Sequence, residues 1–143
     1  MFQYSEFNND ISDWDVHNVK DMACMFNNSF FNGDISKWDV HNVQDMSKMF
    51  ANSHFTGKLS RWDVSNVENM SEMFTHSTFN NDISGWDVSN VTNMYRMFYM
   101  TFFNMDISNW NTEKLENNFE MFESCDIDDS YRPKFKCKNN SYE

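Results

Sequence analysis

Large apolar residues recur along this chain in fixed columns 24 residues apart, separated by short polar runs. The tryptophans stand at Trp14, Trp38, Trp62, Trp86 and Trp110, with no insertion between copies. Phe7, Phe31, Phe55, Phe79 and Phe103 form a second column. Ile11, Ile35, Leu59, Ile83 and Ile107 form a third, and Val16, Val40, Val64, Val88 and Thr112 a fourth. A repeat in unbroken register predicts a stack of short coils, each too small to bury a core alone.

Two kinds of spacing alternate inside each copy. Ile-x-x-Trp-x-Val matches the strand segment of leucine-rich repeats. With period two, Trp14 and Val16 point inward while Asp13 and Asp15 point out, which predicts a short strand over Ser12–Val16, paired in parallel with its neighbours. The second half of the copy has helical spacing. Val19, Met22, Met25 and Phe26 form one apolar stripe, repeated at Val43, Met46, Met49 and Phe50 and in later copies. Asn18, Asn42, Asn66 and Asn90 precede it as N-caps, with amide-on-amide stacking of that column an equal alternative. Asp21, Asp45, Asn69 and Asn93 follow where an acceptor suits a first turn. At about two turns the helix must be held by packing.

The fifth copy decays, with Asn111, Thr112, Lys114 and Asn118 replacing consensus residues. Residues 1–122 are therefore expected to form a solenoid of five repeats preceded by a half-coil, since Met1-Phe2 aligns one period before Met25-Phe26. Residues 123–143 carry no evident period and hold the only proline, Pro133. Asp126–Phe135 is expected to cap the last coil, with the rest loose. The half-coil is either a native cap or a piece of a longer array.

Composition adds two constraints. The chain has 15 Phe, 12 Met and 5 Trp yet only 3 Gly, and its 17% aromatic content separates it from disordered polar chains. Its net charge of −11 argues against nucleic-acid binding, which needs basic stripes to displace counterions. No apolar run reaches the length of a membrane span, so no membrane insertion is expected. No secretory signal or anchor is legible in this chain. Cys24 shares a column with Lys48, Glu72, Arg96 and Glu120 and should face water. Cys125 and Cys137 flank the tail and would pair only in an oxidising compartment.

The repeat resembles the BspA-like leucine-rich-repeat surface proteins. The likeness is to the branch reading Phe-Asn-x-Asp-Ile-Ser-x-Trp-Asp-Val-Ser-Asn-Val-x-x-Met-x-x-Met-Phe, and it covers residues 1–122. With the strand and helix above, the resemblance implies an α/β, leucine-rich-repeat-like right-handed solenoid with one short parallel strand plus one short helix per 24-residue coil. It also implies surface display, adhesion or host interaction. The Asn, Lys, Phe and Ile richness suits an AT-rich genome, including that of a large DNA virus, so cell surface and virion are the expected settings.

Three constellations are candidate sites. Asp15, Asp39, Asp63 and Asp87 form an exposed acidic column, partly neutralised by neighbouring Lys37 and Arg61. Like charges in line are unfavourable. The column either binds a basic partner or a row of cations such as calcium, or accepts backbone N–H bonds where strand turns into helix. Stacked His17 and His41 read as exposed capping residues, because Ser65 and Ser89 follow in their column. In the fourth copy Tyr95, Tyr99, Met100 and Phe102 replace mostly small or polar residues. That patch is either covered by Tyr131 or Phe135 of the tail or is a partner or oligomer interface. No nucleophile–base pair, phosphate loop or Cys/His metal spacing occurs, so no catalytic residue, metal or cofactor is expected. The expectation is a non-enzymatic scaffold for a protein partner. The alternative is an assembly component with end-to-end self-association.

Overall fold

The structure, a computed structural model, is described for residues 1–136. Its coils stack in the expected 24-residue register, but they are made of turns. The only regular element among the described residues is a short 3-10 helix, Asp129–Tyr131. The α/β expectation is therefore corrected: neither the strand over Ser12–Val16 nor the helix after Val19 forms, and the leucine-rich-repeat-like solenoid with a strand and a helix in each coil is not what the chain builds. One isolated parallel bridge per coil joins Asp21 to Asp45, Asp45 to Asn69, Asn69 to Asn93 and Asn93 to Asn117. The parallel pairing thus falls in the half of the copy that spacing assigned to a helix.

Hydrogen-bond direction explains the difference. In a helix each N–H turns back along its own chain. Here the N–H groups of Met46, Lys48, Phe50 and Asn52 instead donate to the carbonyls of Asn69, Ser71, Met73 and Thr75 in the next coil, at 2.8–2.9 Å. The same alternate donors serve the coils before and after. Between them, i to i+3 bonds close successive β-turns, such as Met49 N to Met46 O and Ser53 N to Phe50 O.

That path needs left-handed residues in the third position of alternate turns. They form two further columns: Cys24, Lys48, Glu72, Arg96 and Glu120, and Tyr4, Asn28, Asn52, His76, Met100 and Ser124, with φ between 50° and 56°. None is glycine, so outside Asn28 and Asn52, whose side chains tolerate the conformation, each carries a cost of about 1–2 kcal/mol. The inter-coil hydrogen bonds and the core must offset it.

The apolar stripe is buried as its spacing predicts, although it is not helical. Val43, Met46, Met49 and Phe50 are all fully enclosed. Phenylalanine rings run through the core in two files. Phe26, Phe50, Phe74, Phe98 and Phe122 stack at 5.6–5.8 Å between centroids. Within a coil each pairs with the second file, as Phe50 does with Phe55 at 4.4 Å. The tryptophans tie the coils together. The indole Nε1 groups of Trp38, Trp62, Trp86 and Trp110 donate to Ile11, Ile35, Leu59 and Ile83 carbonyls at 2.9–3.2 Å.

Side-chain acceptors account for the Asp, Asn and Ser richness. In the second copy Asp34, Asp39 and Asp45 accept from the N–H two residues on, at Ser36, His41 and Ser47. Ser53 does the same for Phe55. Each such bond satisfies a turn N–H that no helix or sheet serves.

The asparagine column also differs from expectation. With no helix to cap, and no amide-on-amide ladder, Asn42, Asn66 and Asn90 donate across the stack to the carbonyls of His17, His41 and Ser65 at 2.6–2.7 Å.

At the C-terminal end the columns outlast Glu123. Asp126 N bonds Thr101 O, as Thr78 N bonds Ser53 O two registers earlier, and Asp128 N bonds Asn104 Oδ1 as Asn104 N bonds Asn80 Oδ1. Ile127 is buried in the Phe103 column. Beyond it the 3-10 turn crosses the stack end. Ile107 N donates to Tyr131 O, Thr112 Oγ1 to Lys134 O, and Phe135 leans on Phe122 at 6.4 Å. Cys125, unbridged among the described residues, packs against the core with its sulfur within 3.3 Å of Thr101 Oγ1. The Cys125–Cys137 pairing cannot be placed, because Cys137 lies outside the described residues.

Candidate interaction surface

The acidic column lies on the surface, with no sheet beneath it. Asp15, Asp39, Asp63 and Asp87 each accept from the backbone N–H two residues ahead, at 3.0–3.3 Å, and Asn111 does the same for Glu113. The side chain two ahead joins in. His17 Nδ1 lies 2.5 Å from Asp15, His41 Nδ1 2.7 Å from Asp39, and Ser65 Oγ donates to Asp63 at 2.6 Å. These bonds hold the Asp15, Asp39 and Asp87 carboxyls below their ordinary range, the side-chain bond being the largest cause in each. The same bond raises the imidazole of His17. Local turn bonding therefore accounts for the column, and no group of residues fit to hold a metal ion occurs among the described residues.

Lys37 and Arg61 do not neutralise that column through ion pairs. Lys37 bears weakly on Asp34. It lines one shallow depression with Asp10 and Asp34, and Arg61 lines the next with Asp34 and Lys58. Among the described residues the ion pairs that cross between coils on the left-handed column are Lys48–Glu72 at 3.4 Å and Arg96–Glu120 at 2.5 Å.

The aromatic patch is centred on Arg96. Tyr95 and Tyr99 both lie on the turns of the fourth coil. They flank Arg96, whose guanidinium sits 5.1 Å from the Tyr95 centroid and 4.7 Å from that of Tyr99. Phe119 stacks parallel to Tyr95 at 6.3 Å, and His76 meets Tyr99 edge-on at 5.6 Å. Among the described residues the tail does not cover these rings: Phe135 and Arg132 pack on Phe122 instead. Phe102 is 71% exposed and Phe119 63%. The sequence places Phe119 one coil beyond Tyr95, beside the patch though outside its candidate residues, where Ser47 and Ser71 stand in earlier coils.

Elsewhere on the surface His54 stacks on Phe30 at 5.8 Å. No helix among the described residues is long and apolar enough to cross a membrane.

Neither the curated proteins nor the solved structures yield a match. Two overlapping segments, residues 1–54 and 31–131, match a family described as Mycoplasma protein of unknown function, DUF285. Those segments together contain every tryptophan, every inter-coil bridge and the aromatic patch, and on that coverage the chain belongs to DUF285, the family of BspA-like repeat proteins.

Proposed function

We propose that this chain is a non-enzymatic repeat scaffold for protein–protein interaction or surface adhesion, in the branch carrying 24-residue FNxDISxWDVSNVxxMxxMF repeats. The observation that carries this reading is the aromatic strip in which half-buried Tyr95 and Tyr99 are joined by exposed Phe102 and Phe119. Most polar consensus side chains are engaged by the protein's own turns, as the Asp39 and Asp45 bonds exemplify. The aromatic strip departs from the repeat without a packing need, since Ser71 and Thr75 fill the corresponding places one coil earlier. Exposed aromatics of this kind are the residues that anchor interfaces.

A second reading is a structural component, for instance a virion or envelope part whose coils stack with other chains. It is favoured by Trp14, which is 43% exposed where the inner tryptophans are buried. Light scattering over a concentration series, combined with crosslinking to surface extracts of the native host, separates the two. A chain that stays monomeric and crosslinks to a foreign polypeptide through the fourth and fifth coils supports the scaffold. Growth with concentration, with crosslinks only between copies at the first coil, overturns it in favour of assembly.

A further inference from the structure

We infer that the Tyr95–Phe119 strip docks an arginine- or lysine-rich segment of a protein partner. The inference rests on the scaffold reading and narrows it to one partner chemistry.

Arg96 supplies the first argument. Its guanidinium already lies over two ring faces of the patch, at 5.1 and 4.7 Å. The cluster thus already holds one planar cation by attraction to its negative π-faces, which leaves the outward ring of Phe119 for a second. Arg96 itself does not repel such a visitor, because Glu120 closes on its Nε at 2.5 Å and cancels its charge.

Phe119 supplies the second. It lies parallel to Tyr95, with an interplanar angle of 8°, and is 63% exposed, so it extends the aromatic strip into the next coil. No cation is seated over it among the described residues.

Net charge then selects between occupants. At −11, two copies of this chain repel one another, whereas a basic segment is drawn to the same body. The exposed Glu123, one period after Tyr99, adds local attraction, since the charge of Glu120 is already taken up by Arg96. A second copy is thus the disfavoured occupant and a cationic partner the favoured one.

The repeat itself provides variants that keep the fold. Tyr95→Ser, Tyr99→Thr and Phe119→Ser restore residues that the same columns carry as Ser71 and Thr75. Binding of a fluorescein-labelled octa-arginine peptide to the full chain is followed by anisotropy at physiological salt. The triple variant should bind tenfold or more weakly with an unchanged thermal melt. A control carrying Asp15→Asn and Asp39→Asn, which removes two charges but keeps the turn acceptors, should lose less than threefold. Equal loss in both, or no loss in the aromatic variant, means that the peptide reads only bulk charge and overturns the inference. So does a failure of the wild-type chain to bind. Should the triple variant melt early, Phe119→Ser alone, at the most exposed of the three rings, must still weaken binding at least threefold. If a crosslinked foreign partner binds the aromatic variant as well as the wild type, this inference fails while the scaffold reading stands.

Discussion

The indole Nε1 of Trp86 donates to the carbonyl of Leu59 at 2.9 Å, joining a coil to the one before it across 27 residues of sequence. Leu59 is fully buried, so no water replaces that donor. Trp86→Phe should cost about 0.5–1.5 kcal/mol for the lost hydrogen bond, because the Leu59 carbonyl keeps the Trp62 N–H at 3.0 Å. Trp14→Phe, at a half-exposed position, should cost less than about 0.5 kcal/mol. Urea denaturation of both variants tests the point. Equal losses would show that the indoles act by volume alone.

The two ring files set a second expectation. Phe74 touches Phe50, Phe98, Phe79 and Trp86 and is fully enclosed. Phe74→Ala should lower stability by about 3–5 kcal/mol, as large core truncations do. A loss under 1 kcal/mol, at the scale of a surface change, would contradict a continuous core.

Left-handed backbone gives a third. Asn52 sits at φ 52° on the surface, a conformation asparagine tolerates and a β-branched residue does not. Asn52→Val should destabilise by about 1–2 kcal/mol, while Asn52→Gly should be neutral or slightly stabilising. The measured order of these two variants is the check, and the reverse order would refute the turn-built path.

Acidity supplies the fourth. Asp15 holds the imidazole of His17 above its ordinary value, and His17 holds the Asp15 carboxyl below its own. A raised imidazole contributes stability that is complete below the unfolded value of about 6.5 and disappears as pH rises through the folded value. A depressed carboxyl contributes above about 3.9 and is lost as pH falls through its folded value. The pair therefore helps most in the mildly acidic window between the two. An NMR titration should place His17 above free imidazole, and His17→Ser, the residue of the later copies, should abolish the alkaline limb. An unshifted His17 would show that the ring does not hold Asp15 in solution.

Phe50 and Lys48 show how far the chain could be read in advance. Phe50 belongs to a column of identical residues, so its enclosure was legible from spacing alone. Lys48 belongs to a column of Cys, Lys, Glu and Arg, which reads as exposed helix. Its positive φ left no mark, because none of the five residues there is glycine. Of the candidate site, Tyr95, Tyr99 and Phe102 stood out by breaking the repeat. The seat of Arg96 between two of them depends on side-chain placement that spacing does not carry.

By itself the sequence determined the 24-residue register, the composition of each buried column and the acidity of the surface, because translation along a stack places equivalent residues over one another. Only the tertiary structure decided what conformation each half-copy takes. An apolar stripe at i, i+3, i+6 and i+7 suits a helix and a run of β-turns alike, and the choice turns on where alternate N–H groups find acceptors. Here the carbonyls of the next coil lie within 3 Å of Met46, Lys48, Phe50 and Asn52, and the chain satisfies its backbone between coils rather than along itself.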